Sequence, residues 1–440
     1  MDTRQHTHRT IVLGGGLSGL LAAWHLRRRG IHSELWEASS SLGGWAQTLP
    51  WPGPDGEPGF LERGPQDLRL DRSGALARLA CELALDLDNP GPKGPRWLGK
   101  EGRRQPSPTT PSGLLRASGL GLVERLRLLL EPFVPASSGA EENLHAFFAR
   151  RLGEGFAREW LPALVAGLLA APPERLGLDA LPRLRRLEAL GGLLIGGLRS
   201  GPGRTCLPLG GTGALAQALA AGLERVRLNR AALALERLPS GGWRVHGNGL
   251  DADADAVVCA LPSEAAAELL KPALPEAAGI LAAIPRLDLR VWHSRHPLVK
   301  GWERGIGLLV HPPEGRGLLG VVSFSAEDPR GVPGLLQMRT YLGGAYPVDP
   351  ALDAWPGVCA ELRRWLPELG EALQVREESC PGAFPLLEPG HRDRVARLLE
   401  GLPPTLHWLG TERFGPGIPD LAEGIEAWAQ ALCPLEAKSN

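Results

Sequence analysis

A glycine-rich turn near the start of the chain constrains the fold more than any other feature. Apolar residues 10–13 run into the sequence Gly-Gly-Gly-Leu-Ser-Gly at 14–19, and an apolar helical segment follows. Gly14 permits a tight turn, Gly16 lets the backbone approach a pyrophosphate, and Gly19 allows a helix to pack closely on a strand. The free N–H groups at a helix start also attract phosphate oxygens. The stretch therefore predicts a strand–turn–helix unit that binds a dinucleotide.

A second strand that ends on an acidic residue strengthens this prediction. Glu37 stands 23 residues after Gly14 and directly follows the apolar pair Leu35-Trp36. Its carboxylate can accept hydrogen bonds from a ribose diol. A glycine pattern alone is weak evidence in a chain with 58 glycines. The order strand, turn, helix, strand and acid is much more specific.

The composition is that of an ordinary globular protein and excludes several classes of partner. The 440 residues allow two or three domains, and the net charge of −1 gives no electrostatic basis for binding nucleic acid. The six cysteines are scattered without a Cys-x-x-Cys motif, which fits reduced thiols in a cytoplasmic protein. His293 and His296 lack a clear third ligand, so we predict no metal site. No apolar stretch of the sequence approaches the ~18 residues of a transmembrane helix.

Apolar periodicity predicts an α/β protein whose dinucleotide-binding domain is assembled from three separated segments. We expect a Rossmann-like domain, a mixed-sheet substrate domain and a helical insertion. The predicted boundaries are 1–75, 205–285 and 389–440 for the three segments, 76–204 for the insertion and 286–388 for the mixed sheet.

The order of motifs resembles the flavin amine-oxidase superfamily and, more narrowly, the protoporphyrinogen/coproporphyrinogen oxidase family. In that superfamily the acid-ended strand leads into a Gly-Gly segment that wraps the flavin, as Gly43-Gly44 would here. The runs Glu-Arg-Gly-Pro at 62–65, Arg-Trp-Leu at 96–98 and Gly-Pro-Gly-Ile-Pro-Asp at 415–420 are similar to family segments. Matches in this order span about 400 residues. The resemblance implies bound FAD and the oxidation of a porphyrinogen to a porphyrin, with dioxygen as acceptor.

The resemblance also implies which residues bind each ligand, and it requires no catalytic side chain because the flavin N5 carries the chemistry. For the substrate it implies Arg96 as partner of a propionate, Gly167 against the tetrapyrrole, and the apolar residues Leu309 and Val322 around the macrocycle. The implied FAD-binding residues are Gly14, Gly16, Leu17, Ser18, Gly19, Glu37, Ala38, Gly43, Gly44, Trp45, Gly64, Pro65, Ala232, Gly410, Thr411, Gly417 and Ile418.

Several positions depart from the family pattern. Trp45 stands where a basic residue often follows the glycine pair, and Thr411 stands where the family has an asparagine. Ala171-Pro172 replaces a Gly-Asp pair, and Ala232 replaces a valine beside the adenine. These departures leave open a flavin-binding partner protein without oxidase activity.

An oxidase or desaturase acting on an amine or a carotenoid is a further alternative. Amine oxidases of the superfamily often place a lysine near the flavin N5, and Lys300 is the only lysine between residues 286 and 388. Its surroundings, Val299-Lys300-Gly301, are more typical of a turn than of a buried strand.

Residues 113–200 combine apolar helical runs with arginines, which suits helices that lie on a membrane surface. By resemblance this region is the family's membrane-facing domain. We therefore expect a cytoplasmic protein in reversible peripheral contact with the inner face of the cell membrane. A soluble helix bundle is the alternative, and a homodimer also stays open.

Overall fold

The computed structural model describes residues 9–88, 94–107, 113, 120–136, 141–201, 203–324, 328 and 330–432. The strands are β1 (Thr10–Leu13), β2 (Ser33–Trp36), β3 (Thr48–Pro50), β4 (Phe60–Glu62), β5 (Leu68–Leu70), β6 (Leu87–Asp88), β7 (Arg96–Lys100), β8 (Arg103–Pro106), β9 (Arg204–Pro208), β10 (Val226–Arg227), β11 (Ala232–Arg237), β12 (Trp243–Gly247), β13 (Ala252–Ala254), β14 (Ala256–Cys259), β15 (Arg286–Pro297), β16 (Gly307–Val310), β17 (Leu318–Ser323), β18 (Leu335–Gly343), β19 (Gln374–Pro385) and β20 (Leu406–Trp408).

The α-helices are α1 (Leu17–Arg28), α2 (Ala75–Glu82), α3 (Leu122–Leu129), α4 (Leu144–Leu152), α5 (Glu154–Glu159), α6 (Leu161–Leu169), α7 (Arg183–Ala189), α8 (Gly192–Ser200), α9 (Gly213–Ala221), α10 (Ser263–Leu270), α11 (Pro275–Ala282), α12 (Pro312–Gly315), α13 (Trp355–Trp365), α14 (His391–Gly401), α15 (Thr411–Phe414) and α16 (Ile418–Ala431). Short 3-10 turns lie at Glu131–Phe133, Pro173–Arg175, Leu178–Ala180 and Pro350–Leu352.

A parallel sheet unites distant parts of the chain. Its strand order among the described residues is β10-β2-β1-β14-β20, and every neighbouring pair runs in the same direction. Strands β1 and β2 come from the first predicted segment, β10 and β14 from the second, and β20 from the third. The prediction of a dinucleotide-binding domain assembled from three segments is therefore confirmed.

Both faces of this parallel sheet are buried, as the continuous apolar sequence of its strands requires. Val12 and Val258 point to one face and pack with apolar side chains of α1, α9 and α16. Ile11 and Val257 point to the opposite face, which is covered by the β11–β13 sheet and by helices α10, α11 and α14. The turn after β1 consequently emerges at a fixed edge of a rigid layer.

The mixed sheet has the strand order β19-β15-β18-β17-β16-β7-β8 within the described residues. Its pairs are antiparallel except β16 with β7, which run parallel. Helix α13 packs on one face through Leu362 and Trp365. Strands β7 and β8 lie inside the predicted insertion, 76–204, yet they extend this sheet. The domain boundaries remain predictions.

Helices α3 to α8 lie within the predicted helical insertion, 76–204, of which residues 89–93, 108–112, 114–119, 137–140 and 202 fall outside the described part of the chain. Leu144, Phe147 and Trp160 are buried among these helices and against the second face of the mixed sheet. In the described ranges, no helix is both long and apolar enough to cross a membrane.

A buried carboxylate joins the dinucleotide-binding domain to the mixed-sheet region. Glu62, at the end of β4, accepts hydrogen bonds from the Thr212 hydroxyl (2.6 Å), the Thr212 backbone N–H (3.0 Å) and Arg330 Nη1 (2.7 Å). Its side chain is fully buried, so each of these donors compensates part of the cost of removing the charge from water. This junction fixes the position of the following residues, Arg63 to Pro65.

Candidate active site

A cavity of about 890 Å³ lies between the carboxyl edge of the parallel sheet and the mixed sheet. Ligands of open parallel sheets bind outside the carboxyl ends of the strands, so the cavity lies where a dinucleotide is expected. We call the wall formed by residues 14, 16–18, 36–39, 43–45 and 230–232 the nucleotide end. The sheet end is the opposite wall, formed by Gln66, Leu289, Val291, Arg339, Tyr341, Cys380 and Phe384.

The nucleotide end is built mainly from backbone groups. Helix α1 begins after Gly16 without a side-chain cap, which leaves its first N–H groups available to a ligand. The Glu37 carboxylate accepts hydrogen bonds from the backbone N–H groups of Gly15 (2.6 Å) and Ser39 (2.8 Å). Each carboxylate oxygen keeps a further acceptor site. Glu37 therefore both holds the turn and can still accept a bond from a ribose hydroxyl.

The glycines of the turn meet different surroundings, and these surroundings fit a bound pyrophosphate. A Cβ added to Gly16 would have the Gly44 Cα as its nearest contact, at 4.0 Å, so the backbone there borders open space. A Cβ added to Gly19 would overlap the carbonyl oxygen of Gly14. Gly16 thus keeps a cradle open, whereas Gly19 permits α1 to approach β1.

A second glycine pair closes the wall beside this turn. Gly43 and Gly44 have positive φ angles of 106° and 59°, and the Gly43 N–H donates to the Gly15 carbonyl at 2.8 Å. Trp45 follows, and the Arg63 guanidinium lies 4.9 Å from the centre of its ring. Both side chains line the cavity. Trp45 replaces the family's basic residue, yet a cation from Arg63 still lies at this wall.

The last segment of the dinucleotide-binding domain brings a second helix start to the cavity. Gly410, Thr411 and Ile418 line the wall, and α16 begins at Ile418. Gly417 is the N-cap of α16 and provides no side-chain cap, so free N–H groups again lie near the cavity. The buried Glu412 beside Thr411 accepts bonds from the Ser263 N–H (3.0 Å) and from Arg286.

Most of the predicted FAD-binding residues lie together on the cavity wall. These residues are Gly14, Gly16, Leu17, Ser18, Glu37, Ala38, Gly43, Gly44, Trp45, Gly64, Pro65, Ala232, Gly410, Thr411 and Ile418. Gly19 and Gly417 stand behind the wall, where one packs against β1 and the other caps α16. Their individual roles toward the cofactor remain predictions.

The predicted substrate residues lie on or beside the sheet end. Gly167, on α6, lines the cavity, and a Cβ added there would overlap the Leu309 side chain. Leu309, Val322 and Arg96 do not line the cavity themselves. Strand register nevertheless places Val322 directly between Gly307 and Arg339, and Arg96 beside Gly307. Arg96, Leu309 and Val322 lie on one face of the mixed sheet, the face that borders the cavity.

Sequence reasoning missed several polar residues at the sheet end. Arg339 and Tyr341 come from β18, Gln66 follows the Glu-Arg-Gly-Pro run, and Cys380 comes from β19. Gln66 Nε2 donates to the Tyr341 hydroxyl at 3.0 Å. Burial raises the pKa of the Cys380 thiol to about 11, so the group is a neutral thiol near pH 7. The only signal in the sequence was the alternation of these polar residues with apolar ones.

The residues that motivated the amine-oxidase and metal alternatives lie elsewhere. Lys300 is exposed in the segment after β15 and does not line the cavity. His293 faces the Arg339 side of the mixed sheet, whereas His296, three residues further along the strand, faces the opposite side. Throughout the described ranges, no cluster of metal-ligating side chains has three members.

A parallel dinucleotide sheet, a glycine cradle at its carboxyl edge and an adjoining apolar wall define an FAD-dependent oxidoreductase. The sequence matches the flavin containing amine oxidoreductase family over residues 17–416, and the chain belongs to that family. The fit of the cofactor rests on the open cradle at Gly16 and on the uncapped helix starts of α1 and α16.

Relatives within the family include enzymes named for porphyrinogens. The chain is 30% identical to human protoporphyrinogen oxidase over 382 residues, which cover 76% of this chain and 77% of that protein. It is 24% identical to coproporphyrinogen III oxidase of Bacillus subtilis (strain 168), with 99% of each chain covered. Cyclohexylamine oxidase from Brevibacterium oxydans IH-35A shares the fold, with a TM-score of 0.71 at 20% identity over 97% of this chain and 98% of that chain.

Proposed function

We propose that this flavoprotein oxidises a porphyrinogen to the corresponding porphyrin, with dioxygen as the final acceptor. The observation that carries the proposal is a cavity that joins the dinucleotide cradle directly to an apolar sheet face bearing buried arginine. A flat apolar macrocycle with carboxylate substituents needs both kinds of surface. The names of the relatives in human and Bacillus subtilis agree with this substrate class.

The residues of this chain would act by binding, orientation and exclusion of water. Bound FAD supplies the acceptor for a hydride from a meso carbon of the substrate. Gly167 makes room for the Leu309 side chain beside the cavity wall, while Leu289, Val291 and Phe384 would exclude water from the bound ligand. Arg96 would pair with a propionate and fix the orientation of the ring.

Among the described residues of the sheet end, no side chain is arranged as a general acid or base, which fits this chemistry. The two carboxylates on the cavity wall, Glu37 and Glu412, already accept backbone and guanidinium hydrogen bonds. Cys380 is a neutral thiol near pH 7 because burial raises its pKa to about 11. In each oxidation step the substrate loses a hydride and a proton, and dioxygen leaves as hydrogen peroxide.

The experiment that tests this proposal supplies each porphyrinogen separately to the purified protein in air. We expect porphyrin fluorescence to rise with at least one of protoporphyrinogen and coproporphyrinogen, together with hydrogen peroxide. An anaerobic reaction and a Gly16→Val variant serve as controls for the acceptor and the cofactor. A flavin-loaded protein that oxidises neither compound would contradict the proposal and favour the non-catalytic partner alternative.

We also propose that the helical insertion holds the protein on a membrane surface without crossing it. Helix α3 and the following turn expose large apolar side chains; these are Leu122, Val123, Leu126, Leu129, Leu130 and Phe133. Leu198, at the end of α8, is 83% exposed as well. A contiguous exposed apolar surface flanked by arginines is typical of interfacial helices.

Flotation with liposomes of anionic lipid at low salt tests this location. We expect the parent protein to float, and a Leu122→Glu/Val123→Glu variant to remain in the soluble fraction. Leu250→Glu is the matched control, because Leu250 is 65% exposed on a loop of the dinucleotide-binding domain. Parent protein that stays wholly soluble would exclude the membrane contact.

A further inference from the structure

A buried arginine at the sheet end has an N–H group without an acceptor and a charge without a carboxylate partner among the described residues. Arg339 is 5% exposed and lines the cavity. Its Nη2 donates to the Arg63 carbonyl at 2.5 Å, and its Nη1 donates to the Gly64 carbonyl. Its Nε finds no hydrogen-bond partner in the described part of the chain. A buried unpaired N–H group is costly, so a bound molecule is the natural source of the missing acceptor.

The other arginines of the cavity wall differ from Arg339. Arg63 is paired with Glu378 (2.7 Å), and Arg286 is paired with Glu412. Arg230 lies at the nucleotide end, partly exposed and stacked 4.5 Å from the centre of the Trp36 ring. Among the described residues, no carboxylate lies within ion-pair distance of Arg339. Its charge is therefore available to an anionic group inside the cavity.

Strand register relates Arg339 to the predicted propionate partner, Arg96. Arg339 is opposite Val322, Val322 is opposite Gly307, and Gly307 is opposite Arg96. The two arginines thus occupy the ends of one straight row across the mixed sheet. Three strand spacings separate their Cα atoms, which is about 14 Å at 4.7–4.9 Å per strand.

The middle of this row consists of Gly307 and Val322. Gly307 has no side chain, and the Arg96 side chain lies over it, since a Cβ there would be 2.5 Å from Arg96 Cδ and 3.4 Å from the Cζ of its guanidinium. Val322 is the other central residue. A flat ligand that lies across the row would therefore meet the apolar Val322 side chain, with the Arg339 guanidinium on one side and the Arg96 guanidinium, over Gly307, on the other.

We infer that Arg339 binds a second carboxylate of the substrate, on the edge opposite the carboxylate bound by Arg96. This inference rests on the proposed function and narrows its substrate. Coproporphyrinogen III carries a propionate on every pyrrole and so has carboxylates on opposite edges. Protoporphyrinogen IX has propionates on adjacent pyrroles only, with vinyl groups opposite. The two arginines of the row therefore favour coproporphyrinogen III as the substrate.

Kinetics of an Arg339→Met variant with both porphyrinogens test the inference. We expect kcat/KM for coproporphyrinogen to fall by about tenfold or more, mainly through KM, because a charge-assisted bond to the substrate is lost. The value for protoporphyrinogen should change by less than about threefold, and Arg339→Lys should recover part of the loss. Arg376→Met is the matched control, since Arg376 is exposed on β19 of the same sheet.

Binding measurements separate this inference from the proposed function. Coproporphyrin and protoporphyrin are unreactive ligands whose binding can be followed by quenching of flavin fluorescence. A selective loss of coproporphyrin binding in Arg339→Met supports the inference even if neither porphyrinogen is oxidised. Equal losses for both ligands, or a loss of FAD from Arg339→Met and Arg339→Lys alike, would overturn it. Arg339 would then only position the backbone of residues 63–64.

Discussion

The two ends of the cavity are built from different parts of the polypeptide. At the nucleotide end, the ligand-facing groups are backbone N–H groups and bare Cα atoms from continuous stretches of sequence, such as residues 14–18 and 43–45. At the sheet end, they are side chains from β15, β18 and β19, including Arg339 and Tyr341. A surface made of backbone depends on local conformation, whereas a surface made of side chains depends on how distant strands are paired.

This difference leads to different consequences of mutation. At the nucleotide end, a side chain added to one of the glycines would either destabilise the fold or block the cofactor, because the backbone itself forms the surface of the site. At the sheet end, a substitution should change which ligand the cavity binds, while the backbone keeps its conformation. The following predictions test this contrast, beginning with the largest expected effect.

The substitution Gly19→Ala should destabilise the whole dinucleotide-binding domain. The new Cβ would overlap the Gly14 carbonyl oxygen and force α1 away from β1. Overpacking of this kind costs about 3 kcal/mol or more when backbone cannot yield. Thermal unfolding followed by circular dichroism measures the loss. An unchanged midpoint would show that α1 can shift without cost, and would weaken the contrast between the two ends.

The substitution Gly16→Val should remove FAD while leaving the fold intact. A Cβ at Gly16 has its nearest contact 4.0 Å away in the protein, so the added side chain extends into the space predicted for the pyrophosphate. We expect a colourless protein with a near-parental unfolding midpoint after removal of FAD from both samples. Full flavin occupancy would contradict the assignment of this turn.

The substitution Arg96→Ala should lower kcat/KM for the preferred porphyrinogen by tens-fold, because the substrate carboxylate loses its partner. FAD content and photoreduction of the flavin should stay normal, and Arg96→Lys should restore activity in part. A loss of FAD would instead assign Arg96 to the cofactor, and parental kinetics would remove it from the site. Either result would show that Arg96 does not bind the substrate at the sheet end.

The smallest effect is expected at Cys380. Burial raises the pKa of its thiol to about 11, so little thiolate forms at pH 8 and alkylation by iodoacetamide should be slow. The rate should increase as the pH approaches that pKa. Cys380→Ser should change kcat/KM by less than about threefold, since a neutral thiol contributes mainly packing. Rapid labelling at pH 8, detected by mass spectrometry, would show that the sheet end opens to solvent.

Sequence alone predicted the strand, turn and helix that build the nucleotide end, because the signals for these elements are local. The spacing from Gly14 to Glu37 encodes a strand, a turn, a helix and an acid within one short stretch. The return of the chain to the same sheet was also predicted, since the strand that ends at Cys259 and the strand from Leu406 to Trp408 are short, largely apolar runs followed by turn residues.

The sheet end was predicted only in part because its geometry depends on register. The contact between Gln66 and Tyr341 joins residues 275 positions apart, and no local pattern specifies it. Arg339 gave one signal, an arginine between Met338 and Thr340 in a largely apolar strand, but its alignment with Arg96 required the pairing of β18, β17, β16 and β7. The position of the Arg63 guanidinium beside Trp45 was also not predicted, because it depends on a stacking contact between separate segments.

The position of β20 at the edge of the parallel sheet also has a consequence for synthesis. Strand β20 pairs with β14, and α16 packs on α1, which is the helix that follows the glycine turn. A nascent chain that has not yet released Leu406 to Ala431 from the ribosome lacks this edge strand and this helix. We therefore expect flavin to bind only after this late segment has left the ribosome. The glycine turn, although it is synthesised first, would not bind FAD by itself.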